Sequence, residues 1–228
     1  MSPSLSTPIY EYDVFVSFRG ADTRESFTAH LLAALERKRI RAYKDDINLP
    51  RGEEIRPELL KAIETSKIAV VVFSKNYVTS DWCLDELVKI MECKSVLNQR
   101  VLPIFYDVTE SEVVEQTGNF AEALSNGPEE KVESWRAALT EVANLAGFRS
   151  EPYRPEPEFI EEIVEVIWKR LIWESSTVQS RRQIDNPGAG AGADSSTIIL
   201  QNDASSVQNA IAEWSNLFFF VRLIPFHS

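Results

Sequence analysis

The 228-residue chain has few of several residue types, and each shortage closes a class of function. It has two cysteines, Cys83 and Cys93, in one predicted helix. Ten helical residues rise about 15 Å, too far for a disulfide between them. Their spacing fits no zinc pattern, so no metal site is expected. A disulfide-stapled secreted scaffold is excluded, and the chain reads as intracellular. Basic residues are in the minority, 24 Lys and Arg against 35 Asp and Glu, for a net charge of −11. A nucleic-acid partner is not expected, because phosphate binding needs a basic footprint. No stretch reaches the ~18 apolar residues that span a bilayer. The nearest, "LFFFVRLIPF", is short and carries Arg222. The start, "MSPSLSTPI", lacks the basic and apolar regions of a signal peptide and reads as a disordered leader over 1–9.

What is present is a repeated strand–helix pattern. "YDVFVSF" (12–18) alternates like a strand and ends at "RGADTR". Residues 24–37 place Phe27, Leu31, Leu32 and Leu35 at helical spacing. "IRAY" is a short strand, followed by the polar loop "KDDINLPRG" and the helix "EEIRPELLKAIETS", with Pro57 in its first turn. "KIAVVVFS" is apolar throughout, as in a strand covered on both faces. "DWCLDELVKIMECKSVL" is a helix, "RVLPIFYDV" a strand, 112–143 an interrupted helical region and "AGFRS" a short fifth strand. "EPEFIEEIVEVIWKRLIW" closes the pattern as an amphipathic helix. Five such units predict an α/β fold: a flavodoxin-like, doubly wound parallel sheet, order 2-1-3-4-5, with helices on both faces. The ordered domain is expected over 10–176. The Ser-, Gly- and Ala-rich sequence after it, 177–228, reads as linker or disordered tail.

Ligands of such sheets sit beyond the carboxyl ends of the strands, where the strand order reverses. That point lies between the first and third strands. It gathers "RGADTR", the start of the "DWCLDEL" helix and the long loop after the second strand. Two neighbouring acids, Asp85 and Glu86, occupy that helix. On a helical wheel Cys83, Leu84, Leu87, Val88, Ile90 and Met91 form one apolar arc. Asp85 points away from the arc and reads as a solvated acid. Glu86 lies at its border and reads as partly desolvated.

These segments, in order and spacing, resemble the TIR (Toll/interleukin-1 receptor) domain of plant disease-resistance receptors. The resemblance rests on "YDVFVSFRGADTR", "FTAHLLAAL", "LPRGEEIRPELLKAIETSKIAVVVFSKNYVTSDWCLDELVKIMECK", "VLPIFYDV", "QTGNFAEAL", "KVESWRAALTEVANLAGF" and "FIEEIVEVI", and covers about residues 10–174. It implies the flavodoxin-like fold and an NAD⁺ hydrolase (nucleosidase) activity in plant innate immune signalling. NAD⁺ is then the substrate, and no cofactor is expected. Glu86 corresponds to the family's catalytic glutamate. The loop after the first strand, Arg19, Gly20, Ala21, Asp22, Thr23 and Arg24, is implied in dinucleotide binding, as are Asp46 and Gly52 in the next loop. Trp82 is a candidate to flank a ligand ring. The resemblance further implies activity on self-association, with other TIR domains as partners, and a cytoplasmic or nuclear location. The first helix commonly carries a Ser-His pair at a TIR–TIR contact. Here the pair is Ala29-His30, which loses a hydroxyl. The chain has no G-x-x-x-x-G-K-[ST] motif and no leucine-rich period, so a TIR-only or truncated form is expected. The competing reading is a non-enzymatic TIR adaptor that serves only as a docking surface.

Overall fold

In the computed structural model the described residues are 10–44 and 57–185. The chain divides into two compact units, Met1–Ser176 and Thr177–Ser228. The first contains a five-stranded parallel sheet: β1 (Tyr12–Phe18), β2 (Ala42–Lys44), β3 (Ser66–Phe73), β4 (Arg100–Phe105) and β5 (Phe148–Arg149). Their order is β2-β1-β3-β4-β5, the order expected from the strand–helix alternation. β1 and β3 pair from Tyr12 with Ser66 to Phe18 with Val72, and β3 and β4 from Ile68 with Arg100 to Phe73 with Phe105.

The period-2 alternation of each strand divides the core. Val14, Val16, Ile68, Val70, Val72, Leu102 and Ile104 face one side. They meet Phe27, Leu31, Ala34 and Leu35 of α2 (Phe27–Arg37), and Phe159, Ile160, Ile163 and Ile167 of α8 (Glu156–Asp185). Phe15, Ala69, Val71, Phe73, Val101 and Phe105 face the other. That side is covered by α3 (Pro57–Glu64), α4 (Asp81–Leu97), α5 (Glu110–Glu115), α6 (Asn119–Ser125) and α7 (Glu129–Ala143). Burial on both faces is why "SKIAVVVF" carries no polar alternation.

Two boundaries differ from the sequence expectation. "RGADTR" is not a loop. Its centre is one helical turn, α1 (Gly20–Thr23), closed by Asp22 and Thr23 amides on the Arg19 carbonyl. A break at Ser26 separates it from α2, and the buried hydroxyls of Thr23 and Thr28 hydrogen-bond at 2.8 Å across that break. The last helix runs on to Asp185, into the stretch read as tail. The leader, the polar loop with Asp46 and Gly52, and residues 186–228 lie outside the described residues. Among the described residues no helix is long and apolar enough to cross a membrane.

Candidate active site

The site begins with a helix cap. Ser80 caps α4, its hydroxyl accepting from the Cys83 amide at 3.4 Å. That fixes where the first turn starts, and so which residues of "DWCLDEL" face the sheet. Cys83, Leu84 and Leu87 pack against it, and Glu86 is drawn in with them, only 6% exposed. Trp82 stands one turn before Glu86 on the same helix face and stays half-buried.

A buried carboxyl group needs hydrogen-bond partners. β1 supplies one: Ser17 lies on the Phe15 face of the strand, and its Oγ–H donates to Glu86 Oε2 at 2.7 Å. Ser17 Oγ also lies 2.9 Å from the Tyr77 hydroxyl, which donates to the Cys83 carbonyl at 2.9 Å. Tyr77 comes from the one-turn 3₁₀ helix Tyr77–Thr79 that leads into α4. Burial, then the charges of Cys83 and Glu86, push the Tyr77 phenol well above its ordinary range. Burial and the Glu86 charge likewise push the Cys83 thiol far up, and it donates to the Phe18 carbonyl at 3.6 Å. Cys83 is therefore a neutral, buried thiol and no nucleophile. Cys93 is also buried and free, so no disulfide joins them.

The turn after β1 stands at the same end of the sheet. Asp22 ties it to the end of β3, accepting from Ser74 Oγ at 2.6 Å, from the Asn76 amide at 3.0 Å and from Asn76 Nδ2 at 3.1 Å. Burial raises the Asp22 carboxyl, but these donors outweigh it and leave its pKa below the usual carboxylate range. Both Asp22 oxygens are thus committed to scaffolding. Thr23 is buried, and its hydroxyl is committed to Thr28. Ala21 is exposed. The Arg24 guanidinium lies 5.4 Å from the Phe18 ring centroid and crosses directly over Gly20. A Cβ at Gly20 would come within 2.7 Å of Arg24 Nη2, so the glycine makes room for that side chain. Arg19 completes the turn. Its Nε is buried with no acceptor among the described residues, and its charge acts on both Cys83 and Asp22.

The structure thus brings Glu86, Trp82, Arg19 and Arg24 to one end of the sheet and turns Asp22 and Thr23 to support. Ala29 and His30 stand apart from them. Both are exposed on α2, and His30 Nδ1 lies 2.8 Å from Glu156 of α8, with its side chain 66% exposed. Sequence reasoning missed Ser17 and Tyr77. Strand parity could have found Ser17, since it shares a face with Phe15. Tyr77 left no signal, because its role depends on a contact across 60 residues. Asp85 corrects the reading of a solvated acid. It accepts from Trp135 Nε1 at 2.8 Å and from Lys131 Nζ at 2.7 Å, pinning α7 to α4. A separate cavity of about 360 Å³ lies between Tyr106, Arg149, Arg154 and Glu156, beyond β4 and β5, and does not include Glu86.

Asp22 and Asp13 set an expected pH response. Asp13 receives Lys67 Nζ at 2.8 Å and Arg41 Nε at 3.3 Å. Burial raises its pKa, but these donors and the Arg41 amide outweigh burial and lower it. A carboxylate with a depressed folded pKa contributes stability that is complete above its unfolded value, roughly 4, and is lost as pH falls through the folded value. The thermal midpoint should fall progressively below about pH 4. Asp13→Asn and Asp22→Asn should lower it at neutral pH and flatten that acid limb. Unchanged limbs in both variants would remove these two aspartates as its cause.

The sequence pattern of the TIR domain family matches residues 11–187. The chain belongs to this family. It is 52% identical over 177 residues to disease resistance protein RPV1 of Vitis rotundifolia, across 75% of this chain and 13% of the relative. It is 47% identical to TMV resistance protein N of Nicotiana glutinosa, across 75% of this chain and 16% of that protein. Among solved structures, the TIR domains of the activated Roq1 resistosome, which recognises the pathogen effector XopQ, share 46% identity. They superpose with a TM-score of 0.63, over 69% of this chain and 99% of theirs. The chain therefore spans a small part of the length of the curated relatives it matches.

Proposed function

We propose that this domain is an NAD⁺ hydrolase of plant immune signalling, active when TIR domains associate, with Glu86 as its catalytic residue. The observation that carries the reading is one buried carboxyl group, held by Ser17, at the strand-order reversal of a doubly wound sheet. Arg19, whose charge acts on Asp22 and Cys83, and Arg24, over the Phe18 ring, belong to the turn after β1 at the same end of the sheet, and such cations suit the pyrophosphate of a dinucleotide. The similarity to plant resistance proteins supports the immune setting.

The chemistry needs little else. The nicotinamide–ribose C1′–N bond breaks with its electron pair passing to the ring nitrogen. That neutralises the pyridinium, so the leaving group needs no proton. Positive charge develops at C1′, where a nearby carboxylate stabilises it, as in glycosidases. Water then bonds to C1′ and loses a proton, which Glu86 accepts and later releases. One carboxylate serves where glycosidases use two, because no acid is needed for departure.

Nicotinamide release from NAD⁺, followed against protein concentration, tests the reading. Specific activity should rise with concentration as domains associate. Ala29 and His30 offer α2 for that contact, together with α8, whose Glu156 lies 2.8 Å from His30 Nδ1. Ala29→Arg should leave the fold intact, because position 29 is exposed in the single domain. It should weaken association by about 3 kcal/mol, roughly a hundredfold, since it buries an unpaired charge between helices. Constant specific activity across a hundredfold concentration range, in a protein of monomeric mass, would exclude activation by association. No nicotinamide at any concentration would leave the adaptor reading.

A further inference from the structure

We infer that Ser17 and Tyr77 are positioning residues for Glu86, forming a hydrogen-bonded chain that holds its carboxyl group and whose Ser17 link reverses when the group takes up a proton. The inference rests on the hydrolase reading for its consequence in turnover. The chain itself rests on geometry.

Three oxygen–oxygen contacts lie in series: Glu86 Oε2 to Ser17 Oγ at 2.7 Å, Ser17 Oγ to Tyr77 OH at 2.9 Å, and Tyr77 OH to the Cys83 carbonyl at 2.9 Å. Each contact needs one proton to be a hydrogen bond. The two hydroxyls supply two. With Glu86 ionised, Ser17 donates to the carboxylate, and the single Tyr77 proton must choose between Ser17 and the Cys83 carbonyl. One contact is then left short. With Glu86 protonated, the carboxyl donates to Ser17, Ser17 donates to Tyr77, and Tyr77 donates to the Cys83 carbonyl. Every contact then holds one proton.

Ser17 is 1% exposed and Tyr77 fully buried, with the Tyr77 ring packed 4.9 Å from that of Phe73. Both are therefore fixed in place, one by the β1 strand and the other by the turn into α4. The proton that water releases on attacking C1′ goes to Glu86, and the chain stabilises that protonated state within the core by turning the Ser17 hydroxyl toward Tyr77, which already donates to the Cys83 carbonyl. No atom of Ser17 or Tyr77 has to touch NAD⁺. Their effect is confined to the rotamer and proton affinity of the carboxyl that does.

Ser17→Ala and Tyr77→Phe each remove one oxygen and little volume. Each should lower kcat about tenfold or more while KM stays within about twofold, because substrate contacts remain and only the orientation of the reacting group is loosened. Ser17→Thr keeps the hydroxyl and should recover most of kcat. A kcat equal to that of the parent in both folded variants would overturn the inference, as would a loss confined to KM. A second readout needs no turnover. In protein with ¹³C-labelled glutamate side-chain carboxyls, the resonance lost in Glu86→Gln should move in Ser17→Ala and also in Tyr77→Phe, which touches Glu86 only through Ser17. An unmoved resonance in Tyr77→Phe would overturn the chain. If the parent releases no nicotinamide but the resonance moves in both variants, the hydrolase reading fails and the hydrogen-bonded chain stands.

Discussion

Glu86→Gln should abolish NAD⁺ cleavage, lowering kcat/KM by about two to three orders of magnitude while the domain stays folded. Glutamine has the same shape, and its amide oxygen can still accept from Ser17, which lies 2.7 Å from Glu86 Oε2. The packing of α4 against the sheet is therefore preserved. On the hydrolase reading, what disappears is the negative charge that would stabilise C1′ and the capacity to take the proton of the attacking water. Glu86→Asp makes the complementary test. It keeps the charge but withdraws it by one methylene, and a misplacement of about 1 Å costs on the order of a hundredfold. Both variants should give the parent's circular dichroism. Parent-rate turnover by a folded Glu86→Gln protein would show that the carboxyl group does no chemistry, and would favour the docking role.

The sheet was legible because its signals are local. Alternation in "YDVFVSF" and continuous burial in "SKIAVVVF" give strand faces without reference to the rest of the chain. Five strands with right-handed helical crossovers then allow few orders. The place of Glu86 was legible for the same reason, since a wheel drawn on one helix puts it at the edge of the apolar arc. What surrounds it was not. Ser17 reaches Glu86 across 69 residues and Asp22 reaches Asn76 across 54, so no window on the sequence contains either pair. α1 was missed because a single turn cannot display helical periodicity, and its closing bonds are backbone bonds to Arg19 and Gly20. The candidate binding residues from "RGADTR" accordingly sort into two groups only in three dimensions. Arg19 and Arg24 bring positive charge to the turn after β1, while Asp22 and Thr23 hold that turn in place.

Asp85, next to the catalytic candidate, should behave in the opposite way, and its partner Trp135 should show the larger effect on stability. Trp135 is 1% exposed, and its indole N–H donates to Asp85 Oδ1 at 2.8 Å. Trp135→Ala should destabilise the domain by about 3–5 kcal/mol, the range for removing a large buried aromatic that leaves a cavity. That is a large share of the roughly 5–15 kcal/mol that holds a domain together. Asp85→Ala keeps the indole but strips it of its acceptor, leaving a buried donor unsatisfied at a cost of about 1–3 kcal/mol. The loss of Lys131 as an ion partner adds little, because that lysine is 45% exposed. Urea unfolding should therefore rank the parent above Asp85→Ala and Asp85→Ala above Trp135→Ala. Nicotinamide release by Asp85→Ala, expressed per folded molecule, should match the parent, because Asp85 faces α7 and not the strand ends. The pair thus separates two neighbouring acids of one helix, Glu86 altering turnover at constant stability and Asp85 altering stability at constant turnover. A Trp135→Ala protein within about 1 kcal/mol of the parent, well below that range, would show that α7 is held by its other contacts and that the indole–carboxylate bond is incidental.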